Sequence, residues 1–169
     1  MKYIKIFEDF NFELKKIDYS ISKRSSRFID YSFIFMDIEF SVSFMYIDVS
    51  SVPHWQRDYG LKKYTDNRYQ ELKLSPNKLV ELVSIVNYIT TEFIEAIKPK
   101  VLMITHINMN NESNIDGMNK RAKMNYRFLK NSIPSDYKIS YYSAENTICY
   151  IYNKSIDIAP LVKHKIWLL

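Results

Sequence analysis

Apolar and polar residues alternate most regularly over 31–49, where Phe40, Val42, Phe44 and Tyr46 interleave with Ser41, Ser43, Met45 and Ile47. A period of two predicts strands. Two are expected here, at about 31–36 and 39–49, with a tight turn near Asp37. Pro53 and Gly60 mark 50–60 as a loop, and a further short strand is expected over 62–67. The period then changes. Leu79, Leu82, Val83, Val86, Ile89, Phe93 and Ile97 fall at helical spacing, and Val80, Ile85 and Ile94 widen the apolar face. Ser75 suits the N-cap, Pro76 the first helical position, and Pro99 a stop, so a well-buried helix is predicted over 76–98. The apolar run 101–105 reads as a central strand covered on both faces. A polar loop over 108–114, a second helix over about 116–131 and strands over 137–142 and 147–152 complete the pattern. Residues 1–30 fit no core element: Ile4 and Phe7 suit an amphipathic helix or an edge strand, and 20–27 reads as a basic loop. The order predicts one α+β domain over 31–169, with a mixed, mainly antiparallel sheet and two main helices.

Composition narrows the chemistry. At 169 residues, with 47% apolar and 25% charged residues, the chain suits one folded domain and excludes wholesale disorder. There are only two glycines, Gly60 and Gly117, and neither sits in a phosphate-cradling cluster. P-loop and dinucleotide-binding enzymes are thereby disfavoured. The single cysteine, Cys149, makes neither an internal disulfide nor a zinc cluster and reads as a buried filler. His54, His106 and His164 lack ligand spacing, so no metal is expected. No apolar run reaches membrane-spanning length, and acidic residues interrupt the start MKYIKIFEDF. A non-secreted, non-membrane protein is expected. The net charge of +5 permits an anionic partner without requiring one.

Three groups of residues are candidates for function. Lys120, Arg121, Lys123, Arg127 and Lys130 form a basic run that is either a solvated face or a nucleic-acid contact. Glu39 and Asp48 are strand carboxylates that either face water or act as bases in a cleft. Trp55 and His54 either offer a contact surface or pack their own loop down.

In the segment NKRAKMNYRFL, Asn119, Ala122 and Tyr126 match the offsets of N-x-x-A-x-x-hydrophobic-Tyr, with Asn125 in the hydrophobic place. Together with the order meander, helix, strand, helix, closing strands, this resembles the GNAT-type N-acetyltransferase superfamily over roughly 31–153. The resemblance implies that Tyr126 protonates the departing coenzyme A thiolate. It also implies a pyrophosphate loop, Q/R-x-x-G-x-G/A, before the long helix. The corresponding stretch 70–75 carries Gln70, Lys73 and Ser75, with side chains where the last two glycine positions belong. Gln70, Lys73, Ser75 and Asn119 are the implied cofactor contacts, and the amide cradle looks damaged. The chain is also similar to small tailed-bacteriophage proteins with an aromatic strand pair, a Trp loop, a long helix ending in K-P, and a helix with Arg and Tyr. That similarity implies a host or virion protein as partner and the host cytoplasm or virion as location. The expected function is binding on an acetyltransferase-like fold, with no cofactor. The alternative is an acetyl-CoA-dependent N-acetyltransferase with Tyr126 as acid and Glu39 or Asp48 as base. A second alternative is nucleic-acid binding through Lys120, Arg121, Lys123 and Arg127.

Overall fold

The computed structural model describes residues 12–62, 74–106, 118–143 and 146–166. Among them seven strands form one sheet: β1 (Tyr19–Arg24), β2 (Phe28–Phe35), β3 (Ile38–Ile47), β4 (His54–Leu61), β5 (Val101–His106), β6 (Tyr137–Ser143) and β7 (Thr147–Asn153). Their spatial order is β1-β2-β3-β4-β5-β7-β6. Every neighbouring pair is antiparallel except β4 and β5, which run parallel. A parallel pair needs a crossover, and helix α1 (Pro76–Ile97) lies in it. Helix α2 (Lys120–Leu129) follows β5, and helix α3 (Ala159–Ile166) follows β7. The α+β class and the mixed, mainly antiparallel sheet agree with the sequence pattern.

The hairpin β2–β3 forms because its alternation buries one face, with Phe33, Phe40, Val42 and Phe44 all nearly inaccessible. Its turn places Met36 at φ 53° and Asp37 at φ 60°. Two consecutive positive φ values define the primed turn that suits strand twist and favours Asn-Gly. Replacing Met36→Asn with Asp37→Gly should therefore raise stability by about 1 kcal/mol, read from the urea midpoint. An unchanged midpoint would mean that the turn holds no strain.

Helix α1 starts and stops where its signals stand. The Ser75 Oγ accepts the Lys78 N–H, Pro76 opens the helix, and Lys98 caps it in the left-handed region at φ 51°. Its Phe93 stacks on Phe44 at 3.7 Å between ring centroids and meets the edge of Trp55 at 5.2 Å. That contact ties α1 to β3 and β4 at the centre of the main core. Strand β5 is covered on both faces, as its continuous apolar run predicts. Leu102 and Ile104 join the main core, whereas Val101 and Met103 pack with Tyr150, Ile158 and Leu161 around α3.

Three stretches differ from the pattern-based expectation. Residues 20–27, read as a loop, contribute most of β1 and the approach to β2. This edge strand is exposed along nearly its whole length and is held by backbone pairing, so it carries no apolar alternation. Residues 50–60, also read as a loop, contain all of β4 but its last residue, with Pro53 just before it and Gly60 near its end. Helix α3 lies beyond the last expected element. The strand expected over 62–67 falls almost wholly outside the described residues, as does the segment containing Ile4 and Phe7.

Candidate functional site

Strands β4 and β5 pair at three positions only, Trp55 with Leu102, Gln56 with Met103 and Arg57 with Ile104. Both strands run on past the last pair, β4 to Leu61 and β5 to His106. Pairing thus stops at the carboxyl ends of two parallel strands, which is where open sheets with helical crossovers place ligands.

The side chain at that point is Arg57, 4% exposed. Its Nη1 donates to Asn87 Oδ1 at 3.0 Å and to Thr90 Oγ1 at 2.9 Å, both on α1. Its Nη2 donates to Asn125 Oδ1 at 3.1 Å on α2, and its Nε has no partner. The three acceptors are held in place by their own donors: Asn87 Nδ2 to the Val83 carbonyl, Thr90 Oγ1 to the Val86 carbonyl, and Asn125 Nδ2 to the Arg121 carbonyl. Two helices therefore fix a fork of oxygens for one guanidinium, and all three are neutral. Burial pulls the Arg57 pKa down, opposed by weaker fields that include Tyr59, Cys149, Tyr141 and Asp58. A guanidinium stays charged even so, and a buried charge with no counter-charge is costly.

Strand register extends the site. Arg57, Ile104, Cys149 and Tyr141 stand in one row across β4, β5, β7 and β6, and His106 lies two residues beyond Ile104 on the same face. His106 is buried with its Nε2 unpartnered. Burial first, then Arg57 and Arg121, push its pKa down to about 3, so the imidazole is neutral. Burial raises the Cys149 thiol to about 12. Burial, then the neighbouring Cys149, raises Tyr141 further above its ordinary value. The buried Tyr141 hydroxyl lies beside that thiol, a weak partner at best. Its ring lies 6.5 Å from that of His106 and meets Tyr126 edge-on at 5.7 Å. Tyr126 is 36% exposed and forms the lip of the cluster towards solvent.

The residues singled out by sequence are dispersed. Tyr126 reaches the cluster. Asn119 is the fully buried N-cap of α2: its Oδ1 accepts the Ala122 N–H, its Nδ2 donates to the His106 carbonyl, and its N–H donates to Thr147 Oγ1. Ser75 caps α1, and Gln70 and Lys73 lie outside the described residues. Glu39 pairs with Lys62 at 2.8 Å, and Asp48 pairs with Arg27 at 2.6 Å. These two carboxylates stand at opposite ends of β3, about 30 Å apart along the strand. Tyr126 sits against β6, the edge strand, about 19 Å across the sheet from β3. No one place gathers the acid and either base.

The basic run also divides. At 100° per residue, Lys120, Lys123, Arg127 and Lys130 share one arc of α2, whereas Arg121 lies in line with the buried side. Arg121 thus stands towards His106, whose pKa it depresses, and Arg127 lies over the Phe12 ring at 5.1 Å. His54 is buried with its Nδ1 against the Val52 carbonyl and Ser50 Oγ, whereas Trp55 is mostly buried but lines a groove.

A groove of about 460 Å³ lies elsewhere, lined by residues that include Tyr46, Val52, Pro53, Lys98 and Ile156, and none of the unpartnered buried polar atoms is among its lining. Among the described residues no cluster of His, Cys, Asp and Glu is fit to hold a metal, and no helix is long and apolar enough to cross a membrane. No family model, no curated protein and no solved structure matches the chain. The Arg57 cluster was hidden from sequence reasoning. Its readable signal is a group of polar residues, Asn87 and Thr90 with Ser84 and Thr91, inside a mainly apolar helix.

Proposed function

We propose that the protein has an acetyltransferase-like layout and acts by binding rather than by group transfer. The layout is supported by the element order: an antiparallel meander, a long helix, a central strand, a second helix and a closing hairpin. If the bacteriophage resemblance holds, the partner is a host or virion component.

One observation carries the binding reading. The groups beside Tyr126 are held in states that exchange no proton near neutral pH: His106 binds one too weakly, and Tyr141 and Cys149 release theirs too reluctantly. The cluster is a set of hydrogen-bonding groups around a fixed positive charge. The start of α1 agrees with this. Pro76 has no N–H to offer and the Lys78 N–H is directed to Ser75 Oγ, so these two positions offer a pyrophosphate no free amide.

Calorimetric titration with acetyl-CoA and with coenzyme A tests the reading. The expected result is no heat of binding up to millimolar ligand. Micromolar binding would overturn it in favour of the N-acetyltransferase reading, which the position of Tyr126 at the lip favours. In that case Tyr126→Phe should lower turnover without loosening acetyl-CoA. Unchanged turnover would remove Tyr126 from the mechanism.

A further inference from the structure

We propose that the point where β4 and β5 part holds a small carboxylate, bound by the Arg57 guanidinium with Tyr141 and His106 beside it. The inference goes beyond the binding reading and does not depend on the acetyltransferase-like layout.

A guanidinium has five N–H donors in a planar fork. Arg57 directs two from Nη1 and one from Nη2 to fixed protein oxygens. The Nε–H and one Nη2–H remain, and Nε has no partner. Two donors of one guanidinium match the two oxygens of a carboxylate. Two further buried atoms without partners, Tyr141 Oη and His106 Nε2, belong to the same cluster and are able to donate. The Tyr59 ring lies 5.9 Å from the guanidinium and offsets part of its charge, but three orphaned polar atoms around a cation with no buried anion still require an explanation. Water alone would satisfy the hydrogen bonds and leave the charge unpaired.

The chemistry also selects among anions. Among the described residues of the cluster Arg57 is the one fully buried positive charge, because His106 is neutral and Arg121 is exposed. A monoanion balances that charge, whereas phosphate would bring about two negative charges to it. Asp58 contributes a field but no hydrogen bond to Arg57, and its Oδ1 accepts the Tyr59 N–H at 2.8 Å. Buried Ile104 and Cys149 stand between Arg57 and Tyr141 in the row, an apolar floor suited to a methyl or short alkyl group. Arg121 and exposed Tyr126 mark the way in.

The test uses the full chain near pH 7 at constant ionic strength, with sodium acetate as probe and sodium phosphate and sodium chloride as comparisons. Thermal unfolding and calorimetry are both read. Acetate should raise the Tm saturably, with a dissociation constant on the order of a millimolar for so small a ligand. Chloride and phosphate should not. Tyr141→Phe removes a hydroxyl whose protein neighbour is the weakly bonding Cys149 thiol, so it should fold normally and bind acetate about tenfold more weakly. Arg57→Lys, where it folds, should lose the acetate effect. An acetate response no larger than that of chloride would mean that water fills the site and would overturn the proposal. So would a preference for phosphate, or undiminished acetate binding by Tyr141→Phe. None of these outcomes bears on whether coenzyme A binds, so the two readings fail separately.

Discussion

Acid should destabilise this protein largely through His106, by on the order of 4 kcal/mol between pH 6.5 and pH 3. In the unfolded chain the imidazole takes up a proton near pH 6.5, its ordinary value, whereas in the fold it resists to about 3. The unfolded state therefore binds more protons throughout that window, and stability rises with pH across it. The contribution is fully present above pH 6.5 and is lost progressively as pH falls towards 3. The causes lie on every side of the ring. Burial comes first, Arg57 on β4 and Arg121 on α2 repel the added charge, and Tyr141 on β6 faces it with a hydroxyl that stays neutral. Carboxylates in ion pairs, such as Glu81 held low by Lys15 and Lys78, add acid sensitivity of their own below their ordinary range. His106→Gln separates the two contributions. Urea midpoints measured from pH 7.5 to pH 3.5 should fall steeply in the native protein and more gently in the variant, with the curves diverging below about pH 6.5. Parallel curves would mean that His106 is not held neutral by its surroundings.

The elements legible in the sequence were those whose stability comes from their own pattern. Helix α1 announces itself through Ser75, Pro76 and Pro99 and through its apolar spacing. The β2–β3 hairpin does so through alternation, and β5 through a continuous apolar run. Strand β1 was illegible because an edge strand needs only backbone partners, and its residues face water. Strand β4 was obscured by punctuation, Pro53 just before it and Gly60 in its last two residues. The Arg57 cluster was illegible for a different reason. Arginine in a polar segment reads as surface, and what buries it comes from Asn87 and Thr90, at separations of 30 and 33 residues, and Asn125, at 68. A charge becomes informative only when its partners are known, and those partners are supplied by two helices that meet over the sheet.

Asn119→Ala should cost about 2–4 kcal/mol. Loss of an N-cap accounts for about 1–2 kcal/mol. The remainder comes from the His106 carbonyl, which loses the Asn119 Nδ2 donor at 3.0 Å in a buried site. The residue joins three elements, because its N–H also reaches Thr147 Oγ1 at the start of β7. It thereby sets where α2 begins over the ends of β5 and β7, and hence where Arg121, Asn125 and Tyr126 stand. Asn119→Ser keeps a capping oxygen but cannot reach the His106 carbonyl, so it should cost less than Asn119→Ala, by about 1 kcal/mol. Urea unfolding of the two variants beside the native chain measures both contributions. The same pair of proteins tests what the acetyltransferase resemblance implies for this residue. A cofactor contact would lose acetyl-CoA affinity on substitution and leave the urea midpoint in place. A cap that fixes the helix over Arg57 would shift the midpoint and, through Asn125, loosen the donor fork on which acetate binding depends.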